Sequence, residues 1–459
     1  MKMSAFDKIA LEGADEQTPD AAVAVPEDET ATAAVADATA DAQDVAQEDE
    51  NSEQLDQEQE ELGEVEEAIE QESEGLTPTA ARLLKITLGN IVGRRQAGKI
   101  IATENYSSAR GAQREAKQIA LEGIKETLKQ FWEAIKTQLK KFYSKVKSFF
   151  VKMFSAAKKL KDRAEKIQSK ANDTVGTIED KSFSFSQTKT IAIDGKFSEA
   201  GALTSGLNNV RKVLETIISV QKSDTYERVV DEAAGLIESE IKSAKAGSKT
   251  LNGLVGVIQK LDEVGGKALV GKAVTETKLA EMYVPKDDKT TDLSMTDSLP
   301  GGKAIFLVTG NIKSAGNSDI EEFTKILKQT RNILGNDKFT PRDVSEGDVK
   351  TLTTSQIDKV CDDVIEIAET SYTYEKAWEK RDKFQAKLER EVDSIIKDVN
   401  SDKDEDSRTQ RLARNYASAI TGSVRRRTTF ESQFISYALN VASAMLNYSE
   451  RSLAQHKAK

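Results

Sequence analysis

One cysteine, Cys361, and one histidine, His456, limit the chemistry open to this 459-residue chain. Ser-His-Asp triads, Cys-His dyads and Cys/His zinc sites all need partners that it largely lacks. No internal disulfide can form, and a single thiol fits a reducing compartment or a particle assembled inside a cell. Acidic pairs such as Asp362-Asp363 lie on a helical surface with nothing converging on them. Pro300-Gly301-Gly302-Lys303 lacks the spacing of a phosphate-binding loop and reads as a turn. The expectation is a structural chain rather than an enzyme, with no cofactor and no metal.

The spacing that does point to chemistry is a repeated string. Ile9-Ala10-Leu11-Glu12-Gly13 recurs as Ile119-Ala120-Leu121-Glu122-Gly123. One reading is coincidence between two Ala- and Leu-rich helical segments. The other is a pair of recognition strings for a protease that cuts after Glu12 and Glu122, before Gly13 and Gly123. Glycine on the far side of the cut relaxes the backbone and helps an extended segment enter a cleft. Ala68-Ile69-Glu70 and Ala102-Thr103-Glu104 share the Ala-x-Glu pattern, which makes Glu70 and Glu104 weaker candidates.

The two strings bracket a segment of unusual charge. Met1–Glu74 holds 25 acidic residues against two lysines, whereas the whole chain is only -11, so the remainder is net basic. Residues 14–74 lack aromatics and read as disordered, since like charges repel and little apolar area is available to offset chain entropy. Such a leader is expected to be dispensable for folding. A plain solubility tail is the rival reading. The N-terminus has no apolar run long enough for a secretory signal, and no segment reaches a membrane span, so synthesis in the cytoplasm is expected.

Beyond a basic, Gly- and Ser-containing linker, with one short helix expected over 80–91, lies a long amphipathic helix. Leu121, Ile124, Leu128, Phe131, Ile135, Leu139, Phe142, Val146, Phe149, Met153 and Leu160 follow steps of three and four. Lys136, Lys140, Lys141, Lys145, Lys147, Lys158 and Lys159 occupy the polar side and are the candidate contacts to nucleic-acid phosphates. The aromatic stripe of this helix fits core packing. A cationic helix carrying Trp and Phe also fits an anionic membrane surface.

The remaining pattern predicts strands at 183–185, 190–197, 278–284 and 304–308, and helices around 207–218, 229–241 and 251–261. Two long helices, 355–399 and 409–453, form a hairpin across a charged break at 401–407. Arg425-Arg426-Arg427 interrupts the second of these and reads as a solvated charge run rather than a phosphate grip. The expected fold class is α+β and predominantly helical. Its parts are a disordered acidic propeptide (1–74), a linker and processing segment (75–122), a basic amphipathic helix (123–176), a small α+β unit (177–345) and a helical hairpin (346–459).

An acidic leader, Ala-x-Glu triplets such as Ala10-Leu11-Glu12 and Ala120-Leu121-Glu122, and a lysine-rich helical start to the mature chain resemble the internal head (inner body) proteins of phiKZ-like giant bacteriophages. The resemblance implies a precursor whose propeptide is removed by the prohead protease. The product stays in the head with packaged double-stranded DNA and other head proteins. A cut after Glu122 leaves 56 basic and 49 acidic residues. Contacts through phosphates carry no base specificity. The implied location is the virion interior, with ejection alongside the DNA as an extension. A membrane-active or injected effector, and a cytoplasmic helical scaffold, are the alternatives.

Overall fold

The computed structural model describes residues 29–93, 97, 100, 110–174, 176–193, 200–222, 272–286, 291–310, 324, 328–338, 347–401 and 407–457. The expected helices over 229–241 and 251–261, the Asp194-Gly195 turn and residues 402–406 lie outside them.

Four long helices form the body: α1 (Glu29–Gln71), α3 (Arg110–Asn172), α7 (Thr354–Ser401) and α8 (Ser407–Leu453). Their contacts close a four-helix bundle, with α3 and α8 each touching both α1 and α7, and also touching one another. Directions follow from paired residues. Lys152 meets Asp41 while Lys145 meets Asp44, so α1 runs antiparallel to α3. Leu352, just before α7, meets Ser452, while Tyr374 meets Glu431, so α7 and α8 form the expected antiparallel hairpin.

The acidic helix corrects an expectation. Residues 29–71, read as disordered, form a 43-residue helix docked in the bundle. Ala31, Val35, Ala38, Ala42, Val45, Asp49, Ser52, Asp56, Gln59, Leu62, Glu66 and Ile69 are all buried. They recur in steps that average three and a half residues, the period of one helix seam packed against another. Small and polar residues fill that seam, so a search for apolar periodicity passes over it. Val35, Val45, Leu62 and Ile69 are at most 3% exposed. Burying such side chains contributes about 1.5–3 kcal/mol each, and their sum is comparable to the whole stability of a typical domain. The segment therefore belongs to the core, and the expectation that it is dispensable for folding does not survive.

The α3 stripe matches the expected spacing, from Ala116 through Ile124, Ile135, Phe142, Phe149 and Met153 to Ala171. The helix starts at Arg110, well ahead of the position where its apolar spacing becomes regular. Phe150 stacks on Tyr374 of α7 with ring centroids 5.0 Å apart, and Trp132 donates to Asp393 at 3.1 Å. The aromatic stripe is thus packed within the bundle.

A short helix, α2 (Pro78–Ile91), is capped by Thr77, whose side chain accepts from the Ala80 amide. Together with the end of α1 and the start of α3 it encloses a second cluster that includes Leu62, Leu76, Leu88, Ile100 and Ile124.

The middle of the chain is α+β. Strand β1 (Ser182–Phe185) pairs antiparallel with β6 (Gly347–Lys350), which brings the two ends of this region together beside the bundle. Between them lie α4 (Thr188–Ile191), α5 (Ala200–Lys222), β2 (Lys272–Ala273), α6 (Thr277–Ala280), β3 (Thr291–Met295), β4 (Lys303–Gly310) and β5 (Arg331–Asn336). Strands β2 to β5 form an antiparallel sheet in chain order. The expected strand over 304–308 lies within β4, and Pro300–Gly302 makes the turn before it. Two expected strands are corrected. The span 190–197 opens inside helical turn α4, and 278–284 begins in helical turn α6, whose Leu279 is buried in the cluster around Phe306. In both places β-type composition yields to local packing.

Candidate functional site

Sixteen carboxylates and no basic residue occur between Glu29 and Gln71. Helix formation sorts them into faces, and the inward faces meet two cationic helices. Toward α3, Asp41 accepts from Ser148 and pairs with Lys152 at 2.6 Å, and Asp44 pairs with Lys145 at 2.7 Å. Burial acts to raise the Asp41 pKa, but its bonds to Lys152 and Ser148 outweigh this and hold the carboxyl below its usual value.

Toward α8 the pairs are more deeply buried. Arg411 meets Glu67 at 2.9 Å, Arg414 meets Glu66 at 2.8 Å, and Asn415 donates to Glu60 at 3.1 Å. Arg425, with no exposed surface, donates to Asp49 at 3.1 Å and to Asp56 at 2.9 Å. Arg426 meets Glu53 at 3.5 Å, and the Thr429 hydroxyl donates to Asp49 at 2.7 Å. Gly63 makes room for this crossing, because a Cβ there would sit 3.0 Å from the Arg411 Cγ. Arg425-Arg426-Arg427 is therefore neither a break in the helix nor a solvated run. The helix is continuous from Ser407 to Leu453, and all three arginines are ion-paired, Arg427 with Glu431 at 2.8 Å.

Electrostatics along this seam are dominated by burial. Desolvation raises the Asp49 and Glu66 carboxyls above their ordinary values despite the facing arginines, and lowers Arg414 despite Glu66. Arg425 moves the other way: burial acts against its charge, but two carboxylates outweigh it and push its pKa up. Buried pairs of this kind add little net stability, yet removing one partner strands a charge.

The candidate lysines divide into two sets. Lys136 pairs with Glu133 at 2.5 Å and Asp393 at 3.3 Å, and Lys145 pairs with Asp44, so both are partly neutralised. Lys140, Lys141, Lys147, Lys158 and Lys159 are exposed and form no ion pair among the described residues. At about 100° per residue, Lys140, Lys147 and Lys158 share one line along α3, with Lys141 and Lys159 on the next.

The processing candidates are also separated. Glu122 is exposed and Gly123 half-buried inside α3, where a Cβ on Gly123 would come within 3.2 Å of the Ile100 Cα. Glu70 is exposed in the last turn of α1, directly before the non-helical segment 72–77. There Gly75 takes φ +96°, and the Leu76 amide donates to the Gln113 carbonyl at 3.0 Å. Glu12, Gly13 and Glu104 lie outside the described residues.

The chain is largely helical, its acidic helix is clasped by lysines and arginines, and among the described residues no helix is long and apolar enough to cross a membrane. The family model for phiKZ-like phage internal head proteins matches residues 30–451, nearly the whole chain, and the protein belongs to that family. The match includes the acidic helix. Searches of curated proteins and of solved structures returned no match. Membership places the protein among the structural components of the phage head interior.

Proposed function

We propose that this internal head protein is made as a precursor whose acidic N-terminal part is severed by the prohead protease, and that it then holds packaged duplex DNA through phosphate contacts without base specificity. Its role is structural and not catalytic, and the mature chain is available to leave the head with the DNA. The observation that carries this reading is the docking of α1, a helix with sixteen carboxylates and no basic residue, against Lys145 and Lys152 of α3 and the arginines of α8. A tethered polyanion sits at high effective concentration and excludes phosphates. Severing the tether removes that advantage without changing a contact. Glu70 is the most accessible described cut site, whereas cleavage after Glu122 requires α3 to unwind. In the precursor the membrane alternative gains no support, because Phe142, Phe149, Phe150 and Met153 on the apolar face of α3 are buried there.

N-terminal sequencing and intact-mass measurement of the protein from purified particles test the processing step. A start within 71–123 is expected, and a full-length chain overturns it. Duplex binding by the particle-derived protein should be at least ten-fold tighter than by the precursor at about 50 mM salt. Equal binding by both overturns the masking role.

A further inference from the structure

Among the described residues helix α1 packs chiefly across α3 and α8, with a small contact to α2 and an ion pair from Glu60 to Lys328, so removing it opens a groove between α3 and α8 rather than the bundle centre. The two halves of that groove differ. Along Ala31–Val45 its floor is apolar, with Phe142, Phe149 and Ala442 in the same cluster. Along Asp49–Glu67 its wall is a row of arginines on one strip of α8: Arg411, Arg414, Arg425 and Arg426. From Arg411 to Arg426 this row spans about 22 Å at 1.5 Å per residue. The facing carboxylates of Asp49, Glu53, Asp56, Glu60 and Glu67 recur every three to seven residues on one side of α1, as a line of anions.

We propose that this line of carboxylates stands in for a row of DNA phosphates, and that the arginine strip on α8 is the principal phosphate-binding surface of the processed protein. Arginine suits the role better than lysine, since its planar fork matches the oxygens of a carboxylate or a phosphate equally well. The Nη1 of Arg425 has no hydrogen-bond partner although it is buried, so the carboxylates leave a donor unused that a phosphate with more oxygens can satisfy. A groove vacated by one helix, about 10 Å across, admits the edge of a duplex and one strand's phosphates. Burial costs along the seam, which lift Asp49 and Glu66, mean that the ion pairs themselves add little to the hold on α1, so that another polyanion can take their place on the arginines. The inference rests on the DNA-binding reading above and gives that reading its surface.

The test uses the full chain with a foreign protease site inserted after Glu72, cut in the folded state and mixed with a duplex of about 30 base pairs at about 50 mM salt. The expected result is release of the N-terminal fragment on size exclusion, together with protection of Arg411, Arg414, Arg425 and Arg426 from an arginine-modifying reagent by the bound duplex. The uncut chain should bind at least about 100-fold more weakly, in line with the loss of a tether. Glu53→Gln, Glu60→Gln and Glu67→Gln combined should lower the duplex concentration that releases the fragment several-fold. A cut chain that holds the duplex while keeping its fragment overturns this inference alone and makes the arginine seam a device that fixes the register of α1. The inference also falls if the four arginines stay reactive and replacing Lys140, Lys141, Lys147, Lys158 and Lys159 by Gln abolishes binding. A cut chain that ignores the duplex overturns the DNA-binding reading itself.

Discussion

Arg425 has its charge met from two sides, by Asp49 and Asp56, with the Thr429 hydroxyl completing Asp49. Replacing it by Ala strands two buried carboxylates, at a cost of about 3–5 kcal/mol. Thermal unfolding should show a midpoint lower by several degrees. Adding Asp49→Ala and Asp56→Ala should recover most of the loss, because the stranded charges go with them; no recovery in the triple variant would mean that the seam does not act through charge. Asp363 gives a second test. Burial, partly offset by the charges of Lys359 and Arg211, raises its pKa from 3.8 to about 6. The folded chain then holds a proton that the unfolded chain has released between about pH 4 and 6. This group's contribution therefore makes stability fall as pH rises through that window. Asp363→Asn should flatten that slope in denaturant titrations between pH 4 and 6.5 and raise the thermal midpoint by about 2 °C at pH 7. An unchanged slope would count against the burial of Asp363.

At the scale of elements, α1 and the segment after it decide how processing can occur. A protease needs several residues in extended form, and residues 72–77 already lie outside any helix. Limited digestion of the folded precursor with a Glu-specific protease should cut first at Glu70, Glu72 or Glu74, at least ten-fold faster than at Glu122, where local opening of α3 must come first. A first fragment beginning at Gly123 would show that α3 is open there in solution. Deleting residues 1–71 removes the core contributions of Val35, Val45, Leu62 and Ile69 and bares the arginines of α8. The midpoint should drop by well over 5 °C or the chain should become insoluble, whereas a chain severed after folding should stay in solution.

For the whole molecule, the measurable consequence is charge exposed in stages. The precursor is -11 overall, although Lys140, Lys141, Lys147, Lys158 and Lys159 stay exposed on α3. Its duplex binding should be weak with a shallow salt dependence, while the processed protein should lose affinity steeply between about 50 and 200 mM salt as counterions are released. Fluorescence anisotropy across that range measures both slopes, and parallel slopes would mean that processing adds no phosphate contacts.

The sequence by itself determined the elements whose residues announce their own burial. Helix α3 was legible from Ile124, Phe142 and Met153 at helical spacing, the α7–α8 hairpin from its two long periodic runs, and β4 from Ala304 to Val308. Apolar side chains carry that signal because their transfer from water depends little on which neighbour covers them. The exposed lysines at 140, 141, 147, 158 and 159 were likewise readable. The tertiary structure alone decided the fate of the charged residues. Asp49 and Asp56 read as a repelling tract until α8 supplies Arg425, and Arg425 reads as solvated until α1 covers it. The charges of Asp49, Asp56 and Arg425 are favourable in the interior only through partners hundreds of residues away, and no local pattern in the chain records those partners.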